Sequence, residues 1–309
     1  MLEEESLYYS LGSLNIYHYG IYVAVGVLAA LIVFAALCRR RSLPGDVPVL
    51  WGVLAIPFGL VCSRLLFCIL DFRFHGMFSL RAVASFWGGG FSMMGALLGA
   101  VLAALLAARI LRVFPRTILD SLSPALFMFI FFARLGEGST ELLGRSRSLD
   151  FDASNLLFLN DGYSTYLNTY ILEAICALIL FVVILVMLRR ERRPGDVLLT
   201  AMLLFGCTQV LWESLRFDSH MRWSFISMQM GLAAVLFVVP LIIFAVRCGK
   251  KAVVIAVILS ALVIGGIVGI ELMIDRTDVS NVLLYIAYVI LLSLPVILGL
   301  HWKGKAYRA

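Results

Sequence analysis

Three arginines stand where a membrane-soluble chain rarely keeps a charge. Arg64 in "LVCSRLLFCIL", Arg134 in "FFARLGEGSTELLGR" and Arg216 in "VLWESLRFD" each lie in, or at one end of, an apolar run. An ionised side chain at the centre of a bilayer costs about 2.5–3.5 kcal/mol even on the lenient insertion scale, so such residues face a bundle interior or a watery cavity and mark a site. Guanidinium forks match phosphate oxygens and keep their charge when partly buried, so three at one depth suit a phosphate. Carboxyl groups share that layer: Glu137, Glu141, Glu173 and Glu213. A carboxylate placed there can act as a general base, and Tyr19 and His18 stand at the same depth. A plainer reading competes with this one. Arg134 and Glu137, like Glu213 and Arg216, are three residues apart and can pair along their own helices. Arginines at helix ends also snorkel to the interface.

Two glycine-rich stretches sit at the same depth. In "FWGGGFSMMGALLGA" Gly88, Gly89 and Gly90 permit unusual backbone angles, and a turn of N–H groups at a helix start can bind an anion. Gly95 and Gly99 form a G-x-x-x-G that lets helices approach closely, and packing explains those two better than chemistry. The "LGEGST" break after Arg134 places irregular backbone at membrane depth, which is tolerated only where protein or water covers it. It predicts that the fourth span ends inside a cavity.

The elements that must position these residues are membrane spans. Of 309 residues 62% are hydrophobic and 14% charged, far from soluble proportions. Nine stretches of spanning length run near 16–38, 47–70, 91–111, 117–135, 167–188, 196–215, 223–246, 252–274 and 281–301. The fold class is therefore an all-α polytopic membrane protein. Basic clusters at Arg39–Arg41, Arg109–Arg116, Arg189–Arg193, Arg247–Lys251 and Lys303–Arg308 fall on one side, which the positive-inside rule makes cytoplasmic. The N-terminus is then outside, the C-terminus inside, and the arginine layer at the outer leaflet. The polar loop at 145–166 is external and long enough for a small cap. The net charge of +6 resides in these inter-span clusters and not on a soluble basic face, which argues against nucleic acid. The six cysteines are scattered singly, mostly in apolar runs, and predict neither a disulfide nor a zinc site.

The motifs, taken in order, resemble the prolipoprotein diacylglyceryl transferases. "ARLGEGSTELLGR" is similar to that family's G-R-x-G-N-F-x-N-x-E-x-x-G-R signature, with Arg134, Gly136, Glu141, Gly144 and Arg145 matching after deletion of one residue. "HYGIYVAVG" looks like the family's "WYGLMYLVG", "SRLLF" like "GRIGY", "WGGGFSMMGALLG" like "WEGGMSFHGGLIG", "TYILEA" like "SQLYEL", and "FISMQM" like "SMGQ". The match runs from residue 17 to about 231. It implies a transferase-like domain of seven spans over 1–250, with a two-helix extension over 251–309. It implies transfer of the diacylglyceryl group of phosphatidylglycerol to the lipobox cysteine thiol of a secreted prolipoprotein, in the cell membrane, with glycerol phosphate released and no cofactor or metal. By position in the motifs, Arg134 and Arg216 would hold the phosphate, and Tyr19, Glu137 and Glu141 would shape or serve the reaction. Arg64, Gln229, Glu213, Gly89, Gly90, Gly95, Gly136, Gly144 and Arg145 would line the substrate site. The family's histidine is Met94 here, and the two signature asparagines are replaced, with Glu137 and Thr140 near their places. Two readings stay open on these residues: a transferase with a relocated base, or a non-catalytic phospholipid-binding relative.

Overall fold

The computed structural model describes residues 7–11, 14–70, 80–86, 89–140, 144–149, 153–190, 193–216, 222–223, 226–276 and 281–306. Among them are nine helices long and apolar enough to cross a membrane: α1 (His18–Arg40), α2 (Asp46–Leu70), α4 (Met93–Ile110), α5 (Pro115–Glu137), α6 (Thr169–Arg190), α7 (Asp196–Leu215), α8 (Met228–Val246), α9 (Lys250–Arg276) and α10 (Asn281–Ala306). Each overlaps one span expected from hydropathy. The short α3 (Leu80–Ala84) precedes α4. The chain is an all-α polytopic membrane protein.

Local chemistry sets the helix ends. Ser92 caps α4, its Oγ accepting from the Gly95 amide, and Ser227 caps α8 by accepting from Gln229 N at 3.2 Å. Pro115 opens α5, where its missing N–H costs nothing. Arg39 and Arg40 close α1 and Arg189 and Arg190 close α6, cations at the negative end of the helix dipole. The 145–166 loop forms a three-stranded antiparallel sheet. Following the antiparallel pair β1 (Leu7–Leu11) and β2 (Leu14–Tyr17) that precedes α1, the strands of this sheet, β3 (Arg145–Leu149), β4 (Phe158–Asn160) and β5 (Thr165–Asn168), lie in the order β3-β5-β4. Its tight turn is held by Asp161 Oδ1, which accepts from the amides of Tyr163 and Ser164.

The chain divides into two compact units. The first comprises residues 1–67, 85–195 and 215–219. In it α5 is central, packed against α1, α4 and α6, and it is the most enclosed of the nine spans. Helix α4 lies on α2 almost backbone to backbone. A Cβ on Gly95 would stand 2.5 Å from the Cys62 carbonyl oxygen, and one on Gly99 2.4 Å from that of Phe58, so the G-x-x-x-G serves helix contact. The second unit comprises 68–84, 196–214 and 220–309 and holds α7 with α8, α9 and α10.

Candidate functional site

The last turn of α5 carries Arg134 and Glu137, the first turns of α6 carry Glu173, and Arg216 follows directly on the end of α7. All four are buried, none more than 7% exposed. They close into a ring of alternating charge. Arg134 Nη1 donates to Glu137 Oε1 at 2.6 Å, and Arg134 Nε lies 2.7 Å from Glu173 Oε2. Arg216 Nη2 donates to Glu137 Oε2 at 2.8 Å, and its Nη1 to Glu173 Oε1 at 3.1 Å. Each carboxylate thus bridges both guanidiniums, and the ring is neutral. Taking four charges out of water is costly, and the compensation is mutual: removing one member of such a buried set typically costs about 3–5 kcal/mol because its partner is left uncompensated.

The backbone around the ring is shaped to hold it. Ser139 Oγ donates to the Gly136 carbonyl and Thr140 Oγ1 to that of Glu137, so hydroxyls of the "LGEGST" break satisfy carbonyls at the end of α5. Gly144 has φ +69°, and a Cβ there would stand 2.9 Å from Glu137 Oε2 and 2.7 Å from Tyr170 Cβ. Only glycine both adopts that angle and leaves room for the carboxylate. Gly136 lets α1 approach, with Tyr22 and Tyr19 next to its α-carbon. Arg145, at the start of β3, is half-buried, and its Nε is enclosed with no hydrogen-bond partner among the described residues.

Arg64 is buried as well and meets the glycine turn. Its Nη1 donates to the carbonyls of Gly89 and, at 2.9 Å, Gly90, while its guanidinium lies 5.7 Å from the Phe67 ring centroid. The glycine turn therefore offers carbonyls to a cation, where the sequence suggested N–H groups for an anion. The Ser92 amide, at the head of α4, donates to the Ser63 carbonyl. Glu213 and Gln229 belong to the second unit. Glu213 accepts from Gln209 Nε2 at 3.1 Å and Ser227 Oγ at 3.0 Å, and Arg216 is bound by carboxylates from α5 and α6. Pairing along a single helix thus accounts for only one of the ring's four contacts. Glu141 lies outside the described residues. Glu173 is the member that motif reading left without a role. Its signal was a lone carboxylate in the apolar run of the sixth helix.

Beside the ring, α1, α2, α4 and α5 line a cavity of about 370 Å3. Tyr19 and Ala133 line it near the ring, Ser63 and Met93 line it from α2 and α4, and Ala30 and Trp51 line the end away from Tyr19. From Tyr19 to Ala30 along α1 is about 16 Å. The walls are almost wholly apolar, and the polar groups of Trp51 and Ser63 are already engaged. Trp51 Nε1 donates to the Ala100 carbonyl at 3.0 Å, and Ser63 Oγ to that of Ser92 at 2.8 Å. Met94 is buried in the first turn of α4, beside the cavity-lining Met93. An apolar slot of this length, with the charged ring beginning one residue beyond its Ala133 wall, suits an amphiphile with an anionic head.

Residues 6–246 match the family model described as prolipoprotein diacylglyceryl transferase. The chain belongs to that family. It is 25% identical over 244 residues to the phosphatidylglycerol-prolipoprotein diacylglyceryl transferase of Listeria monocytogenes serovar 1/2a, covering 76% of this chain and 87% of the relative. It is 24% identical over 220 residues to the protein of the same name from Streptococcus equi subsp. equi, covering 69% and 84%. The matched segment of this prolipoprotein diacylglyceryl transferase family member holds the ring, the cavity and the glycine turn. Helices α9 and α10 follow it.

Proposed function

We propose that this chain transfers the diacylglyceryl group of phosphatidylglycerol to the lipobox cysteine thiol of secreted prolipoproteins. The thiolate sulfur attacks the glycerol carbon that bears the phosphate, a C–S bond forms, the C–O bond breaks, and glycerol phosphate departs with the electron pair. The headgroup begins as a monoanion and leaves with an added negative charge. Cations fixed beside it therefore stabilise the transition state more than the ground state. Arg134 and Arg216 are those cations. An acyl chain lies in the slot between α1, α2, α4 and α5, with Tyr19 at its mouth, and brings the phosphate to the ring. The observation that carries this reading is the buried ring of paired arginines beside an apolar slot.

The ring also supplies a base. A phosphate that binds the guanidiniums competes with Glu137 and Glu173 for their N–H groups, and a carboxylate released from an arginine is a better proton acceptor. Glu137, which touches both arginines, takes the thiol proton. This role replaces that of the family histidine, whose place Met94 fills. A thiol with a pKa near 8.5 is a few per cent thiolate at neutral pH, so the base accelerates attack and is not an absolute requirement. In the cell membrane the ring lies at the outer leaflet, with the N-terminus outside and the C-terminus cytoplasmic, as the distribution of basic residues supports. Incubation of the purified protein with phosphatidylglycerol and a lipobox peptide, followed by mass spectrometry of the peptide, tests the reading. A diacylglyceryl thioether is the expected product, and binding of phosphatidylglycerol with no thioether would leave only a lipid-binding relative.

A further inference from the structure

One polar junction beside the ring is left unsatisfied. Arg145 opens β3 opposite Asn168, the last residue of β5, and Thr169 then begins α6. Backbone holds the two segments together, the Tyr170 amide donating to the Gly144 carbonyl at 3.0 Å. Thr169 is wholly buried, yet its Oγ1 has no hydrogen-bond partner among the described residues, and neither has the enclosed Nε of Arg145. Among the same residues Arg145 enters no ion pair, whereas Arg134 and Arg216 each meet two carboxylates. Arg145 as a whole is half-buried, so its Nε is covered while the residue keeps an open surface. Buried polar groups are almost always paired, and an unpaired donor and hydroxyl at one junction call for something that binds there.

The junction lies where a lipid headgroup projects. Ala133 lines the apolar slot, Arg134 follows it, and Glu137 stands one turn further along α5. Gly144 comes next, since a Cβ on it would stand 2.9 Å from Glu137 Oε2. Acyl chain, phosphate and headgroup thus meet the slot, the ring and the Gly144–Arg145 turn in that order. The bond that breaks does not choose among headgroups, because phosphoethanolamine can depart from the glycerol carbon as glycerol phosphate does. Discrimination comes from contacts beyond the phosphate, and a site built to hydrogen-bond a substrate hydroxyl strongly rejects an analogue without it.

We propose that Arg145 is the headgroup-selecting residue: its guanidinium takes the glycerol end of phosphatidylglycerol and turns away the ammonium of phosphatidylethanolamine. This rests on the transferase reading for where the phosphate lies. The glycerol end carries two free hydroxyls, and a guanidinium fork donates to two oxygens at once. An ethanolamine headgroup offers only donors and a positive charge, which Arg145 repels at a site partly screened from water. Arg134 and Arg216 are neutralised by the ring carboxylates, so the charge of Arg145 stands uncancelled beside them. Arg145 determines specificity and does not touch the bond that breaks.

The test places the full chain in nanodiscs of equal phosphatidylglycerol and phosphatidylethanolamine and reads the ratio of retained lipids by native mass spectrometry. Wild type, Arg145→Gln, Arg145→Lys and Arg147→Gln are compared. Wild type is expected to retain phosphatidylglycerol in preference, and Arg145→Gln to cut that preference about tenfold, as for loss of a charge-assisted hydrogen bond. Arg145→Lys keeps the charge without the fork and is expected to fall between the two. With a lipobox peptide the Arg145→Gln loss on phosphatidylglycerol falls on KM, with kcat within about threefold of wild type. Arg147→Gln, two residues along the same strand, is expected to leave the ratio unchanged. An unaltered ratio in Arg145→Gln overturns the proposal, as does a wild type without preference. An equal shift in Arg147→Gln also overturns it, by marking general surface charge. If Arg145→Gln does not fold, full wild-type preference in Arg145→Lys overturns the role of the fork. A wild type that keeps the preference but transfers nothing removes the transferase reading alone, and the retained-lipid ratio still decides the headgroup subsite.

Discussion

Glu137 accepts from Arg216 Nη2 at 2.8 Å across 79 residues of sequence, while its other oxygen, Oε1, accepts from Arg134 Nη1 at 2.6 Å. One carboxylate thus couples the signature segment to Arg216, and Glu173 repeats the coupling from α6. The two arginines form one electrostatic unit.

That unit predicts non-additive stability. Arg216→Ala and Glu173→Ala each leave an uncompensated charge in a buried ring and are expected to destabilise the protein by about 3–5 kcal/mol. The double variant removes one charge of each sign. It is expected to lose less than the sum of the singles, with a coupling of about 0.5–3 kcal/mol. Denaturant unfolding in detergent measures this cycle, and strictly additive losses would mean that the ring is not a unit.

Glu137→Gln keeps the shape of the side chain but removes the proposed base. Transfer is expected to fall about 10²- to 10⁴-fold, the usual contribution of a positioned general base. Met94→His is expected to restore part of that loss, because the motif resemblance puts the family's histidine at residue 94. Full activity in Glu137→Gln would assign the proton to another group, and Tyr19 and His18 are the next to substitute.

Hydropathy made the nine spans legible, since length and apolarity are properties of each segment alone. Arg134, Glu137 and Arg216 were legible for the same reason, as charges that lipid does not tolerate. Their closure into a ring was not, because spacing along a helix pointed to pairs three residues apart, while three of the four ring contacts join different elements. Arg64 shows the limit most clearly. Its place in an apolar run resembles that of the other two, but whether a glycine turn presents N–H groups or carbonyls depends on backbone angles that composition does not encode. Gly89 and Gly90, at φ +66° and +79°, turn carbonyls toward it. The strands within 145–168 likewise escaped a reading tuned to long apolar runs, which registered only a polar loop.

The contact between α2 and α4 predicts a steep dependence on side-chain size. With a Cβ at 2.4 Å from the Phe58 carbonyl oxygen, Gly99→Ala forces two backbones apart. Overpacking of this kind costs about 1–3 kcal/mol. Thermal unfolding in detergent is expected to show a lowered midpoint for Gly99→Ala and a larger drop for Gly99→Leu. Equal midpoints for all three proteins would mean that α4 does not sit against α2 at that position.

The cavity predicts acyl-chain selectivity. Ala96 and Ala100 line the slot from α4, and Trp51 lies at its far end, with its indole N–H held by the Ala100 carbonyl and its ring edge-on to Phe34 at 5.0 Å. Ala96→Phe puts a ring into the path of a bound chain without touching the charged ring. With phosphatidylglycerols of graded chain length, the variant is expected to keep turnover of the shortest chains and to lose it progressively for longer ones. Each CH2 that can no longer be buried forfeits about 0.8 kcal/mol. Trp51→Ala should shift the preference the other way, by opening the floor. If Ala96→Phe lowers turnover equally for every chain length, the acyl group lies elsewhere, and the slot serves only to separate the helices.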